Sequence, residues 1–250
     1  MIAKNKLQSI ISKYYLGGQV ESVKWKVEDG KLHIDFMAPT KDMIGRLSCT
    51  NFPLSTDGEL AIFNTTQLNR LLNVLTGDLI LDAERTKAVL TKLTIQDAKA
   101  SINYSLADPL MIQKVGEVDE NINWKVQATL ENEDFYTFVK AASAIQNNEI
   151  VTLVATRDSI DTPIIKFVFG ERMEFSNKVE FQVNAKFEKD VREDNKIPFN
   201  SEMLREIFNA NKTSDECHLS FVDDGLLRLI FTSEDEGIDT TYFVVRKADY

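Results

Sequence analysis

Phe63-Asn-Thr-Thr-Gln-Leu68-Asn-Arg-Leu71-Leu72 returns later in the chain as Phe199-Asn-Ser-Glu-Met-Leu204-Arg-Glu-Ile207-Phe208, an offset of 136 residues. Each copy sets Asn and a hydroxyl residue ahead of an apolar stripe at helical spacing. Three short strand-like runs then follow each copy, closing on Ala107-Asp108 and on Ala248-Asp249. Solenoid units repeat every ~20–45 residues, so this longer period marks two tandem copies of one domain.

The chain's 250 residues suit two cores of ordinary size. Hydrophobic residues at 43% with charged residues at 27% fit a folded globular chain, not a disordered one. No apolar run approaches the ~20 residues of a membrane-spanning helix. Ile10-Ile11 lie between polar residues, so the first segment does not read as a signal peptide. Cys49 and Cys217 are far apart in sequence and are expected as reduced thiols in half-buried strands. His33 and His218 are the only histidines. Cys217 and His218 are neighbours in a strand, so they face opposite ways and cannot chelate one metal together.

Four segments carry one helical apolar face: Leu7/Ile10/Ile11/Tyr14, Leu68/Leu71/Leu72/Leu75, Phe135/Phe138/Val139/Ala142, and Leu204/Ile207/Phe208, with the pattern lapsing at Asn211. Thr65-Thr66, Asn132 and Asn200-Ser201 are the capping candidates for the last three. The rest reads as strand, with hairpin turns at Glu28-Asp29-Gly30 and Asp223-Asp224-Gly225. Residues 106–123 have no sustained period and contain Pro109 and Gly116. The expected organisation is domain 1 over 1–105, a linker over 106–123 and domain 2 over 124–250. The expected class is α+β, each domain with two helices packed on antiparallel β-sheet.

The formal charge of −10 argues against a conventional phosphate binder. The helical segments are nonetheless mildly basic, holding Lys4, Lys6, Lys13, Arg70, Lys140, Arg205 and Lys212. Lys6 and Lys13 are seven apart and are expected on one exposed face. The alternative is that all seven are ordinary solvated cations. No phosphate loop follows Gly17-Gly18, and no nucleophile elbow or triad is visible. Glu234-Asp235-Glu236 and Asp223-Asp224 hold enough carboxylate for a divalent metal, but turn positions favour solvated acids. Neither a cofactor nor an enzymatic activity is expected. Phe135, Phe138 and Phe208 suit core packing by their spacing, with base stacking as the alternative. Trp25 and Trp124 are expected at equivalent packing positions. Leu106, Pro109, Leu110, Met111 and Ile112 cluster in the linker, either tacking it to the sheets or bordering a pocket for a partner.

The duplication resembles the DNA sliding clamp family, the polymerase processivity subunits. It is most similar to the T-even-phage type and is related to proliferating cell nuclear antigen. The resemblance rests on Gly30-Lys-Leu-His-Ile-Asp-Phe36, Glu59–Leu72, Ala98–Asp108 and Ile197-Pro-Phe-Asn-Ser-Glu-Met-Leu204 through Lys247. It implies the DNA-clamp fold and a homotrimeric ring around double-stranded DNA, bound without regard to sequence. Closed by a clamp-loader ATPase, such a ring tethers the replicative DNA polymerase for processive synthesis. In it the seven helical cations face DNA, and Leu106, Pro109, Leu110, Met111 and Ile112 border a pocket for client peptides. It also implies that Ala98–Tyr104 pairs with Lys178–Val183 of a neighbour. The setting would be the cytoplasm, that of an infected host cell if the protein is phage-encoded. The competing reading is a non-catalytic virion structural or assembly protein with a duplicated β-rich fold.

Overall fold

Asn64 and Asn200 turn the repeat into structure. In the computed structural model, which describes residues 1–119, 121–145, 148–170 and 177–247, each is the N-cap of a helix. The Asn64 side chain accepts the Gln67 N–H at 2.7 Å, and that of Asn200 accepts the Met203 N–H at 3.1 Å. The next residue in each copy donates its own N–H to a distant carbonyl, Thr65 to Glu21 and Ser201 to Glu149, both at 3.0 Å. Helix entry and chain crossing are thus fixed by the same two-residue device in both halves.

The chain divides into two units, Met1–Gly116 with Glu234–Thr240, and Glu117–Ser233 with Thr241–Tyr250. Unit 1 holds β1 (Ile2–Ala3), α1 (Lys4–Tyr15), β2 (Val23–Glu28), β3 (Lys31–Met37), β4 (Met43–Cys49) and β5 (Gly58–Ile62). It continues with α2 (Thr65–Leu72), β6 (Asp78–Thr86), β7 (Val89–Gln96) and β8 (Ser101–Ser105). Unit 2 holds β9 (Val126–Glu131), α3 (Asn132–Ala144), β10 (Ile150–Arg157), β11 (Pro163–Phe169), β12 (Val179–Asn184) and β13 (Lys186–Phe187). It continues with β14 (Lys196–Asn200), α4 (Ser201–Ala210), β15 (Glu216–Phe221), β16 (Leu226–Ser233) and most of β17 (Ile238–Val245).

Strand order repeats with the sequence. Unit 1 has the runs β4-β3-β2-β5 and β1-β6-β7-β8; unit 2 has β12-β11-β10-β14 and β9-β15-β16-β17. The ladders are antiparallel, as in β3 with β4 from Leu32 opposite Cys49 to Met37 opposite Ile44. Asp29 (φ 49°) and Gly30 (φ 70°) give the β2–β3 hairpin the left-handed pair that a two-residue turn needs. β1 and β13 have no counterpart in the sequence reading, because two residues are too few to show a period.

The helices bury the expected stripes. Leu7, Ile10, Ile11 and Tyr14 of α1 are buried, as are Leu68 and Leu72 of α2, while Leu71 stays half-exposed and Leu75 lies beyond the helix end. Phe135, Phe138 and Phe208 are core residues, with the Phe138 and Phe208 ring centroids 4.5 Å apart, which removes base stacking as their role. Unit 1 closes on Tyr14, Trp25, Phe36 and Phe52. Asn211, where the α4 stripe lapses, is itself buried. Its amide donates to the Ile207 carbonyl and to Tyr242 Oη, both at 2.8 Å, so the polar group has its partners.

Three details depart from expectation. Thr65 and Thr66 lie inside α2, since Asn64 is the cap. At α3 the cap is Glu131, whose N–H donates to the Asp134 carboxylate at 2.9 Å. Asn132 is the first helical residue, its amide donating to the carbonyls of Lys212 and Ser214. Trp25 is buried in β2, whereas Trp124 precedes β9 and lies half-buried under Arg228, so the two are not equivalent. The expected closing pair Ala248-Asp249 falls outside the described residues.

Asn64→Ala and Asn200→Ala should each lower stability by about 1 kcal/mol, the usual loss for removing an N-cap side chain. Urea unfolding of the two single variants checks this. Equal losses are expected; a silent variant would show that its helix entry is held by the Thr65 or Ser201 backbone bond alone.

Candidate nucleic-acid and partner surfaces

The seven helical cations have different surroundings. Arg70, Lys140 and Lys212 are exposed, and Lys212 lies two residues beyond the end of α4. Lys6 is half-exposed. Lys4 Nζ donates to the Leu75 carbonyl at 2.6 Å, tying the start of α1 to the chain leaving α2. Arg205 lies 2.9 Å from Glu206 and 3.8 Å from Glu202, so carboxylates of its own helix offset its charge.

Lys13 corrects the expectation of a shared exposed face with Lys6. Its side chain is fully buried, on the side of α1 that packs toward the turn between β16 and β17. Ser9, one turn earlier, donates from Oγ to Glu236 Oε2 of that turn at 3.1 Å, and the Thr50 N–H meets the Gly237 carbonyl at 2.9 Å. Burial pushes the Lys13 ammonium down to about 8, against the upward pull of the Glu236 carboxylate. Sequence spacing correctly put Lys6 and Lys13 on nearby turns. It could not reveal that a segment from far along the chain covers one of them.

The linker residues do not form one patch. Leu106 and Met111 line a groove of about 460 Å³ with Phe63, Leu71 and Tyr104. Ile112 is buried and lines a separate cavity of about 120 Å³ with Met37, Pro39 and Val115. Leu110 points into solvent at 91% exposure, and Pro109 opens a 3-10 turn whose Leu110 N–H is held by Asp108. The segment is also less free than a linker implies: the Leu106 N–H bonds to the Thr91 carbonyl and that of Ala107 to Ala61, both at 3.0 Å.

Phe63 and Leu71 are the groove residues the sequence reading missed. Phe63 is 50% exposed, whereas its repeat partner Phe199 is buried. The corresponding part of unit 2 has a cavity of about 570 Å³ with Glu149, Glu202, Arg205 and Lys247 in its lining. One copy therefore presents an apolar groove where the other presents charge. The groove adjoins β8, which ends its sheet; in unit 2, β12 ends the sheet whose counterpart in unit 1 is β4-β3-β2-β5. Among the described residues neither strand has a neighbour on its outer side, which leaves one row of backbone groups open there.

Among the described residues no cluster of His, Cys, Asp and Glu has a metal-binding arrangement. Cys217 is buried while His218 is exposed and contacts Glu216 at 3.0 Å. Burial pushes both thiols up, which keeps them protonated and unreactive.

No known family model matches this chain, and no curated protein matches its sequence. Solved structures do match its fold. Proliferating cell nuclear antigen from Entamoeba histolytica is similar at TM-score 0.74 and 16% identity, over 98% of this chain and 96% of that one. A PCNA2-PCNA3 complex from Sulfolobus tokodaii gives 0.75 and 11%, over 99% and 98%. A. fulgidus PCNA, solved with the C-terminal region of FEN-1, gives 0.76 and 10%, over 100% and 98%. The chain therefore has the DNA-clamp fold from end to end.

Replacing both partners, Lys13→Met with Glu236→Gln, should stabilise the protein at pH 7 by about 1–3 kcal/mol, because the buried ammonium goes without leaving its carboxylate unpaired. With its folded-state value near 8 and an unfolded value of 10.5, wild-type Lys13 loses its proton first in the folded state. The wild type then gains stability between pH 8 and 10.5, and the advantage of the variant shrinks over that window. Chemical unfolding of both proteins at pH 7, 9 and 10 reads the difference; a constant gap would contradict the burial penalty.

Proposed function

We propose that this protein is a sliding clamp of the phage replication type, a ring around duplex DNA that tethers a replicative polymerase. The observation that carries this reading is the match of both repeats, over nearly the whole of each chain, to solved clamps. Binding by enclosure needs no strong phosphate affinity, which suits a chain of net charge −10. Weak, sequence-blind contacts let a ring move along DNA, while the acidic remainder of the chain repels duplex approaching from outside. The role is a scaffold's, with no reaction of its own.

Assembly follows from the open edges. We assign β8 of one chain to pair with β12 of the next, in register with the Ala98–Tyr104 and Lys178–Val183 expectation. Unlike surfaces that meet head to tail close into a ring when the rotation allows. A homotrimer is the proposed count, and one of the similar archaeal structures is itself a complex of two clamp proteins. The Phe63 groove beside β8 is then covered by the neighbouring chain. The cavity at Ile112, Met37, Pro39 and Val115 is assigned to client peptides, as A. fulgidus PCNA holds a C-terminal region of FEN-1. An ATP-dependent loader supplied by other chains opens and closes the ring.

Light scattering at micromolar concentration should give three times the 28.4 kDa chain mass. Phe63→Glu should shift the protein toward monomer with little change in melting, since a half-exposed ring contributes little to the fold of one chain. A strict monomer in the wild type would rule out the ring.

Protein loaded on nicked circular DNA should remain bound for minutes and leave promptly when the circle is linearised. Equal retention on circular and linear DNA would show ordinary binding and end the clamp reading.

A further inference from the structure

The two helix pairs differ in charge far more than their shared fold requires. α1 and α2 together contain Lys4, Lys6, Lys13 and Arg70 and no Asp or Glu across 20 residues. The chain has 39 acidic residues in 250, a density that would place about three in that span. α3 and α4 carry Lys140 and Arg205 against Glu133, Asp134, Glu202 and Glu206. Arg205 is held by Glu206 and Glu202, so Lys140 is the only cation of that pair without an ion pair among the described residues.

We propose that the α1–α2 pair of unit 1, and not the α3–α4 pair of unit 2, meets the phosphate backbone of duplex DNA. The proposal rests on the clamp reading and narrows it. α1 and α2 are tied into one surface where they meet: Tyr15 Oη contacts Thr66 Oγ1 at 2.8 Å and Thr65 Oγ1 donates to Tyr14 Oη at 3.3 Å. Arg70 is exposed and Lys6 half-exposed, and neither makes an ion pair among the described residues. Beside them the exposed amides of Asn5, Gln67 and Asn73 make no side-chain hydrogen bond among the described residues, leaving neutral donors for phosphate oxygens. Asn is a poor helix former, so Asn5 does not serve the helix. On α3–α4 the four carboxylates outnumber the two cations, and Arg205 is already paired, so that pair offers phosphate no net attraction.

The test compares two double variants, Lys6→Gln/Arg70→Gln and Lys140→Gln/Lys212→Gln. All four side chains lie outside the buried stripes, so both proteins should melt as the wild type does. Binding to a short blunt-ended duplex of mixed sequence is followed by fluorescence anisotropy across a salt series. The first variant should bind at least about threefold more weakly at low salt, its log K against log salt flattened by about 0.9 per lost contact. The second should stay within about twofold of wild type at low salt. Lys6→Arg/Arg70→Lys should restore binding, since the requirement is for charge. Equal losses in the two Gln variants, or no wild-type binding at low salt, would overturn the proposal. Retention on circles is read separately. Wild-type protein that binds duplex through α1–α2 but leaves circles and linear DNA alike would end the encircling reading and leave this one standing.

Discussion

Asn64 is held on every polar atom the fold depends on, and much of unit 1 depends on that. Its side-chain oxygen takes the Gln67 N–H and starts α2. Its backbone N–H donates to Tyr104 Oη at 3.0 Å, and the same hydroxyl donates to its carbonyl, also at 3.0 Å. Tyr104 belongs to β8, so one residue joins the end of β5, the start of α2 and the last strand of the unit. Three residues on from Tyr104, the Ala107 N–H closes onto the Ala61 carbonyl. In unit 2 the cap recurs at Asn200 and the closure recurs as Lys247 N–H to the Pro198 carbonyl at 2.9 Å. The repeat is thus a repeated solution to one problem, the satisfaction of backbone groups where a strand becomes a helix.

That solution was legible because it is local. Asn followed by a hydroxyl residue and an apolar stripe shows itself in ten residues, and the strand-like remainder with its two hairpin turns agrees with the antiparallel sheets. Two kinds of feature stayed hidden. Side chains such as Phe63 and Leu71 look like core residues by type and spacing, and only the fold leaves them half-exposed beside β8. The five linker residues looked alike in sequence, yet Ile112 turns inward while Leu110 faces water. Composition says nothing about which way a non-periodic segment rolls.

Lys13 is the sharper case. A lysine on the polar side of an amphipathic helix is ordinarily solvated, and the α1 pattern contains nothing to say otherwise. Its burial comes from the turn at Glu236, more than 200 positions away in sequence. Glu236 supplies compensating charge and Ser9 fastens the same carboxylate to the helix. A buried pair of this kind adds little net stability compared with apolar packing, but it penalises any other seating of α1, because a charge without its partner would remain inside. Specificity of docking is the physical return for an otherwise unfavourable residue.

The unequal fates of Phe63 and Phe199 carry a consequence for direction. A duplicated domain with identical corners could meet a second copy symmetrically, like with like. Here one corner is apolar and the other charged, so the two are not interchangeable; in the proposed β8-to-β12 pairing each chain follows the next in the same rotational sense. A closed assembly built that way has a front and a back that differ at every position around the circle. In the proposed arrangement a partner that docks beside the linker docks on one side only, which gives the assembly a direction along its axis.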